Sequence, residues 1–411
     1  VIRVLRAWAG APPLVLTVLL LSVFGAAMIY SAGVLNVPSP VTENIWQRQL
    51  LWLGLALVGF TVVSMIPPRW FEWAALPAYV LAVILLMATL VVGTGAGTAA
   101  GVKSFLSVGG FRFQPAEVAK IATILAMARF LSAKREGIQN LRELLGPVAL
   151  VGLPLALVIL QPDLGTSLAF IGILFAMLYW GGTPVPLLIL LASPGLGLIL
   201  SYDLAVWSVY IVVLTLSLFF YRYRLYLVES VAVILANLAA GTVALPLWQS
   251  LADYQKNRLL VFLDDTVDPR GAGWQIIQSK VAIGSGGLLG KGFTQGTQKR
   301  LDFLPEQHTD FIFSVIGEEL GFVGTFMVIL AFAFILVRLV RLAARAEDPF
   351  AGLVIFGIFG AWITHVFVNI GMTVGVVPIT GIPLPFVSYG GSFLLMSWVA
   401  LAVAVRVSQE S

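Results

Sequence analysis

The chain alternates long apolar stretches with short polar segments along most of its 411 residues. Because a helix needs about 20 apolar residues to cross the hydrocarbon core of a bilayer, these stretches predict membrane-spanning helices. Only Tyr202 and Asp203 separate two of them, 184–202 and 204–220, so a ten-span alternative leaves that pair out. The twelve predicted spans are 14–35, 49–66, 71–92, 115–132, 145–160, 164–181, 184–202, 204–220, 227–248, 309–340, 351–373 and 391–406.

One stretch breaks this pattern, because residues 251–308 gather acids, bases, glycines and amides between two predicted spans. A solvated loop with balanced charges and a binding site for an anionic ligand such as a phosphate both remain open. The glycine run GSGGLLGKG (Gly284–Gly292) favours the second interpretation, because open backbone amides can form an anion-binding nest. The run matches neither the P-loop nor the dinucleotide fingerprint, so an ATP-driven pump is unsupported. The cations of this stretch are Lys256, Arg258, Arg270, Lys280, Lys291, Lys299 and Arg300.

Composition narrows the class of protein. The chain is 59% hydrophobic and only 11% charged, whereas soluble domains carry about 25% charged residues. The continuous apolar runs do not suit a β-barrel, which needs short alternating segments. We therefore predict an all-α polytopic membrane protein, a single integral membrane domain over 1–411 with a catalytic loop at 251–308. Arg3 and Arg6 precede a first run that is too long for a cleaved signal.

Cysteine is absent and the only histidines are His308 and His365, which excludes a disulfide, a thiol nucleophile and any multi-histidine metal site. The net charge of +4 does not indicate nucleic-acid binding, because the cations are scattered in short loops. With twelve spans these short-loop cations fall on one side, which predicts that side to be cytoplasmic and the 251–308 loop to be extracellular. They are Arg3, Arg6, Arg69, Lys134, Arg135, Arg142, Arg222, Arg224, Arg338, Arg341, Arg345 and Arg406.

Three further segments, 93–117, 161–167 and 375–392, are rich in Gly, Pro and hydroxyl residues at span ends on the predicted outer side. Irregular backbone at membrane depth persists where protein or a wet cavity covers it, so we expect these segments to share a cavity with 251–308. Ionisable groups within spans are functional candidates. Glu117 and Lys120 share a helix face and are either a structural ion pair or direct participants. Other ionisable candidates at or within spans are Asp163, Glu318, Glu319 and His365, the last expected to be a hydrogen-bonded core residue.

Several of these polar segments closely resemble the SEDS (shape, elongation, division and sporulation) family. The FLDD segment and the GTQ–FLPEQHTDFIF run resemble its rod-shape (RodA) branch more than its division (FtsW) branch. The matching blocks are VDPRGAGWQIIQSKVAIGSGGLLGKG, GTQKRLDFLPEQHTDFIFSVIGEELGFVG, QPAEVAKI (Gln114–Ile121), QPDLGTSL (Gln161–Leu168) and PFVSYGGS (Pro385–Ser392). The resemblance implies a ten-helix core, so the spans near 184–220 would be two extra ones. It also implies a peptidoglycan glycosyltransferase that polymerises lipid II outside the cytoplasmic membrane, with a class B penicillin-binding protein as its transpeptidase partner.

Such a reaction needs a base for the acceptor hydroxyl and cations or amides for the diphosphate leaving group. Asp268 stands before Pro269 in a tight turn, where it is either a turn-former or a base, and the resemblance carries the catalytic aspartate onto it. Asp264 and Asp265 rank lower. The substrate-binding candidates are Arg48, Arg258, Lys280, Lys291, Ser279 and His308, with Glu117, Lys120 and Asp163 as cavity or structural residues.

No cofactor is fixed by the sequence, although a divalent cation such as Mg²⁺ or Mn²⁺ could bridge an aspartate and the diphosphate. Two other functions stay open. A lipid II flippase or transporter would also show broken helices and midplane charges, and a scaffold would only recruit the penicillin-binding protein. The concentration of polar groups on one face favours the enzyme.

Overall fold

The computed structural model describes residues 11–36, 44–95, 103–108, 111–134, 137–220, 227–264, 267–268, 271–301, 303–304 and 306–409. Several residues used in the sequence argument lie outside these ranges: Arg3, Arg6, Arg135, Arg222, Arg224, Asp265, Pro269, Arg270 and Asp302. All twelve predicted spans are helices, and most of their ends agree within three residues; the largest difference is at the tenth span, where 309–340 is Ile312–Arg345. This confirms the all-α architecture.

The spans form helices whose bounds are as follows: α1 Pro12–Ala32, α2 Ile45–Ser64, α3 Pro68–Val92, α4 Pro115–Ser132, α5 Leu145–Leu160, α6 Leu164–Trp180, α7 Val185–Leu200, α8 Leu204–Phe220, α9 Leu227–Ser250, α13 Ile312–Arg345, α14 Pro349–Val374 and α15 Gly391–Val407. Within the described ranges, seven helices are long and apolar enough to cross a membrane. Four shorter apolar helices, α6, α7, α8 and α15, accompany them. The protein is therefore a multi-pass membrane protein.

The stretch 251–308, expected to be a loop, is partly helical: α10 Asp253–Leu263, α11 Ala272–Ser285 and the short α12 Thr297–Arg300 follow one another there. A two-stranded antiparallel hairpin, β1 Leu106–Val108 with β2 Phe111–Phe113, precedes α4. A 3₁₀ turn, Leu141–Leu144, leads into α5. Sequence reasoning missed these short elements because it searched for runs long enough to span a bilayer.

Helix α14 lies at the centre of the bundle, where it packs against α4, α6, α13 and α15. Small residues bring α6 and α14 together, as expected where helix association in a membrane depends on close packing. A Cβ built on Gly172 would lie 1.9 Å from Oγ1 of Thr364, and one on Gly360 would lie 2.5 Å from Cβ of Ala176. Glycine at both positions is therefore required by the helix–helix contact.

Helices α7, α8 and α9 form a separate group of three that packs mainly within itself. A buried amide ties them together: Asn237 Nδ2 donates to Ser193 Oγ at 2.9 Å, and Tyr210 OH donates to Asn237 Oδ1 at 2.9 Å. No described side chain of α8 is buried, so this helix presents its surface outward. The predicted pair near 184–220 is thus present as two helices.

Candidate active site

Asp268 lies just before α11, and one of its two carboxylate oxygens accepts hydrogen bonds from neighbouring residues. Oδ2 accepts a hydrogen bond from the backbone N–H of Ala272 at 3.0 Å and another from Asn257 Nδ2 at 3.3 Å. A Cβ on Gly271 would lie 2.3 Å from that oxygen, so glycine is needed for this approach. The N–H groups at a helix N-terminus carry partial positive charge, which attracts an acidic side chain. Among the described residues, none donates a hydrogen bond to Oδ1.

Arg258 and Asp310 meet beside Gly381, a glycine with a φ of +71°. A Cβ built there would lie 3.2 Å from Asp310 Oδ2 and 3.7 Å from Arg258 Nη1. The Arg258 guanidinium also lies over the Tyr254 ring, 5.8 Å from its centroid. Burial, together with the charges of Glu306 and Asp163, raises the pKa of Asp310 to about 7, and Arg258 opposes this shift. Asp310 was not singled out from the sequence, although it stands within the recognised HTDF block.

Asp163 joins the ends of two spans. Its carboxylate accepts hydrogen bonds from Gln114 Nε2 at 3.0 Å, from the backbone N–H of Thr166 at 3.0 Å and from Thr166 Oγ1 at 2.9 Å. A Cβ on the neighbouring Gly165 would lie 2.9 Å from the carbonyl oxygen of Thr380. The structure therefore brings the segments 93–117, 161–167 and 375–392 into contact, and Arg258 beside Gly381 adds the fourth, 251–308.

Glu117 and Lys120 form a buried ion pair on one face of α4, with 3.0 Å between Oε2 and Nζ. His365 of α14 completes the group, since its Nε2 lies 2.9 Å from Lys120 Nζ. The three side chains line a small cavity of about 20 Å³ together with Trp362, Phe393 and Ser397. The pair thus both joins two helices and faces a cavity, so the two interpretations of the sequence coexist. His365 is a hydrogen-bonded core residue, as expected.

Two of the six substrate-binding candidates are exposed. Lys280 lines an open groove of about 230 Å³ with Asp264, Ile276 and Gly375. It lies eight residues along α11 from Ala272, or about 12 Å at 1.5 Å per residue, and Ala272 is the residue whose N–H binds the Asp268 carboxylate. Arg48 is exposed in the first turn of α2.

Three other candidates are engaged by protein groups. Lys291 Nζ lies 2.8 Å from Glu318 Oε1 and donates to Thr297 Oγ1 at 2.7 Å. Ser279 is fully buried, with Ser314 Oγ at 2.6 Å, and donates to the Thr373 carbonyl at 2.6 Å. His308 is nearly buried, and its Nε2 lies 3.9 Å from a carboxylate oxygen of Glu306. The structure does not bring these three side chains to the Asp268 carboxylate through any described hydrogen bond.

The glycine run does not form the open nest that its sequence suggested. The backbone N–H groups of Lys291 and Gly292 donate to the carbonyls of Glu318 and Glu319 at 3.0 and 2.9 Å. A Cβ on Gly290 would lie 2.1 Å from the Glu319 carbonyl oxygen. The glycines therefore allow this segment to pack against α13, just before Gly321 interrupts that helix with a φ of +63°.

Metal ions in proteins are usually held by converging side chains such as His, Asp and Glu. Across the described ranges, no group of three or more such residues converges in a way that could hold a metal ion.

Comparison with known proteins adds independent findings. The FtsW/RodA/SpoVE family model, a family of cell cycle proteins, matches residues 13–224 and 185–411. The chain is 36% identical to the peptidoglycan glycosyltransferase MrdB of Escherichia coli K12 over 96% of this chain and 92% of that protein. It is 34% identical to the peptidoglycan glycosyltransferase RodA of Treponema pallidum, with 96% of each chain covered.

Solved structures agree with these relatives. A chain from a peptidoglycan synthase complex, solved in a study of how polymerization and crosslinking are coordinated, superposes with a TM-score of 0.72 at 30% identity and 97% coverage of both chains. The crystal structure of the rod shape determining protein RodA of Thermus thermophilus superposes with a TM-score of 0.63 at 25% identity, over 98% of this chain and 96% of that one. Both the sequence and the fold place this chain in the FtsW/RodA/SpoVE (SEDS) family of multi-pass membrane proteins, to which it belongs.

Proposed function

We infer that this protein is a peptidoglycan glycosyltransferase that polymerises lipid II into glycan strands during cell elongation. The observation that carries this proposal is the Asp268 carboxylate, which the N-terminus of α11 and Asn257 hold by one oxygen while the other faces no described protein donor. The relatives named above as peptidoglycan glycosyltransferases match the chain over almost its full length.

In the proposed reaction Asp268 Oδ1 removes the proton from an acceptor sugar hydroxyl. The hydroxyl oxygen forms a bond to the anomeric carbon of the donor while the bond from that carbon to the diphosphate breaks. A single displacement inverts the anomeric centre, so an α-linked donor yields a β-linked product. General base assistance of this kind contributes about 10²- to 10⁴-fold in rate.

The leaving lipid diphosphate gains negative charge and needs cationic groups near it. Lys280, which lines the open groove on α11, and Arg258, beside Gly381, are the candidates best supported by their positions. Arg48 is a further candidate for this role, with less support from its position. When bound, a divalent ion such as Mg²⁺ or Mn²⁺ would supply further positive charge between the diphosphate and a carboxylate.

We place the reaction at the outer face of the cytoplasmic membrane, with a class B penicillin-binding protein as partner that crosslinks the strands. The charge bias of the short loops supports this orientation. The superposed chain from a peptidoglycan synthase complex supports the partner. A lipid II flippase is the alternative, and the names of the relatives do not favour it.

Purified protein, with and without the penicillin-binding protein, should be given fluorescent lipid II in detergent and assayed for glycan strands by gel electrophoresis. We expect strands that grow with time and disappear on muramidase treatment. The same protein in liposomes should be tested for transfer of lipid II between leaflets. Leaflet transfer without any strand synthesis would replace the enzyme by the flippase.

A further inference from the structure

The two polar contacts of His365 define which nitrogen of its ring carries a hydrogen. Its Nδ1 lies 3.0 Å from the carbonyl oxygen of Pro383, and its Nε2 lies 2.9 Å from the ammonium nitrogen of Lys120. A carbonyl oxygen only accepts hydrogen bonds, so Nδ1 carries a hydrogen and donates it. A second hydrogen on Nε2 would point at the ammonium group and place two positive charges together. The ring is therefore neutral, and its Nε2 lone pair accepts from Lys120.

This tautomer fixes the direction in which the Lys120 ammonium donates its hydrogen bonds. The ammonium group donates to Glu117 on one side and to His365 on the other, at 3.0 and 2.9 Å. It also lies 5.3 Å from the centroid of the Phe393 ring, which stacks on His365. Two hydrogens of the ammonium are thus assigned, and the charge is held at one point on the wall of the small cavity of about 20 Å³.

His365 also connects this charge to the segment between α14 and α15. Pro383 belongs to that segment, and two residues farther along it contact the 308–310 region. Ser388 Oγ donates to the Thr309 carbonyl at 2.6 Å, and the Tyr389 N–H donates to the His308 carbonyl at 2.9 Å. A shift of the segment would therefore move the His365 ring and, with it, the direction of the Lys120 ammonium.

We propose that His365 is a positioning residue, a neutral Nδ1–H tautomer that orients the Lys120 ammonium in the cavity and couples it to the segment carrying Pro383. The glycosyltransfer readout below rests on the proposed function, whereas the spectroscopic one does not. The chain suits the spectroscopic test because it has only two histidines, so few signals need to be assigned.

The first test is ¹⁵N nuclear magnetic resonance of the full-length protein in detergent, labelled with ring-¹⁵N histidine and assigned by comparison with His308→Gln. We expect the His365 ring to show a protonated Nδ1 and an unprotonated Nε2 at neutral pH. In Lys120→Met the unprotonated Nε2 signal should shift because its donor is lost. A protonated Nε2 in the wild-type protein would overturn the proposal, and this outcome does not depend on the folding of the Lys120 variant.

The second test compares two substitutions that each keep one contact. His365→Gln can present its amide oxygen to Lys120, whereas His365→Asn reaches only the Pro383 carbonyl. We expect strand synthesis in the glutamine variant within about threefold of wild type and a loss of at least tenfold in the asparagine variant, with similar melting temperatures. Equal losses in the two variants would overturn the positioning role. If wild-type protein makes no strands while the tautomer is as expected, only the proposed function fails.

Discussion

Asn257 donates a hydrogen bond from Nδ2 to Oδ2 of Asp268 across 3.3 Å. The donor belongs to α10 and the acceptor precedes α11, so these two helices of the 251–308 stretch, α10 and α11, meet at the proposed base. Together with the backbone N–H of Ala272, Asn257 occupies one carboxylate oxygen. The orientation of the other oxygen toward substrate is thereby set by two donors from different helices.

We expect Asn257→Ala to slow strand synthesis by about tenfold or more, since a hydrogen bond to a charged group contributes about 1.5–3 kcal/mol net. The loss should appear in kcat rather than in the lipid II concentration for half-maximal rate, because Asn257 touches the base and not the donor. Lys256→Ala, the neighbouring residue on α10, is the matched control and should leave the rate unchanged. A loss confined to the half-maximal concentration would contradict this role.

We expect Asp268→Asn to abolish strand synthesis while the protein still folds and binds its partner. The amide cannot accept the acceptor proton as a base, and the expected loss is about 10²- to 10⁴-fold. Copurification with the penicillin-binding protein and the melting temperature would show that the fold persists. Asp253→Asn is the control, because the Asp253 side chain is fully exposed and pairs only loosely with Lys256 at 3.9 Å. Near-normal synthesis by Asp268→Asn would remove the base assignment.

Charge reversal at Lys280 and at Lys291 should have different effects on the protein. Lys280 lines the open groove, so Lys280→Glu should raise the lipid II concentration needed for half-maximal rate. Lys291 pairs with Glu318, a fully buried carboxylate, so Lys291→Glu should mainly lower the melting temperature. Rate titrations and thermal unfolding of both variants test this. An unchanged lipid II titration for Lys280→Glu would remove Lys280 from the donor site.

The raised pKa of Asp310 predicts that the stability of the protein depends on pH. Its pKa is about 7 in the folded protein but near 3.9 in an unfolded chain, so the folded state binds the extra proton between these values. The free energy of unfolding contributed by this group is then largest below about pH 4, falls as the pH rises to about 7 and is constant above. Asp310→Asn should lack this fall. Melting temperatures from pH 4 to 8 should therefore show the variant gaining on wild type as the pH rises, and parallel curves would contradict the shift.

The helices could be predicted from the sequence because a bilayer imposes one strong requirement, a long apolar run. The recognised blocks likewise identified the family. The Glu117–Lys120 pair followed from the i, i+3 spacing of the two residues on one helix face. These inferences depend on local composition, which the sequence displays directly.

The arrangement of the 251–308 stretch could not be predicted in this way. Its glycines suggested an anion nest, but the structure uses them for contact with Glu319, whose carbonyl lies where a Cβ of Gly290 would be. Lys291 and Lys299 appeared as loop cations, yet each reaches a glutamate of α13. Such pairings join residues 27 and 20 positions apart, so no short-range spacing rule reveals them.

Lys299 and Glu319 form a fully buried ion pair. Both side chains are 0% exposed, and Nζ lies 2.6 Å from Oε1, with Ser31 of α1 hydrogen-bonded to both. Burial lowers the pKa of Lys299, and the charge of Glu319 opposes that shift. Removing one partner leaves the other charge buried and unpaired, which costs about 3–5 kcal/mol. Lys299→Met should therefore strongly lower the melting temperature.

The double variant Lys299→Met with Glu319→Gln should recover most of that loss, because it leaves no unpaired buried charge. The exposed Lys256–Asp253 pair provides the comparison: Lys256→Met should cost at most about 1 kcal/mol, as is usual for surface ion pairs. Thermal unfolding in one detergent would rank the four proteins. If the double variant is no more stable than Lys299→Met alone, the cost arises from lost packing or from the contacts to Ser31 and not from the unpaired carboxylate.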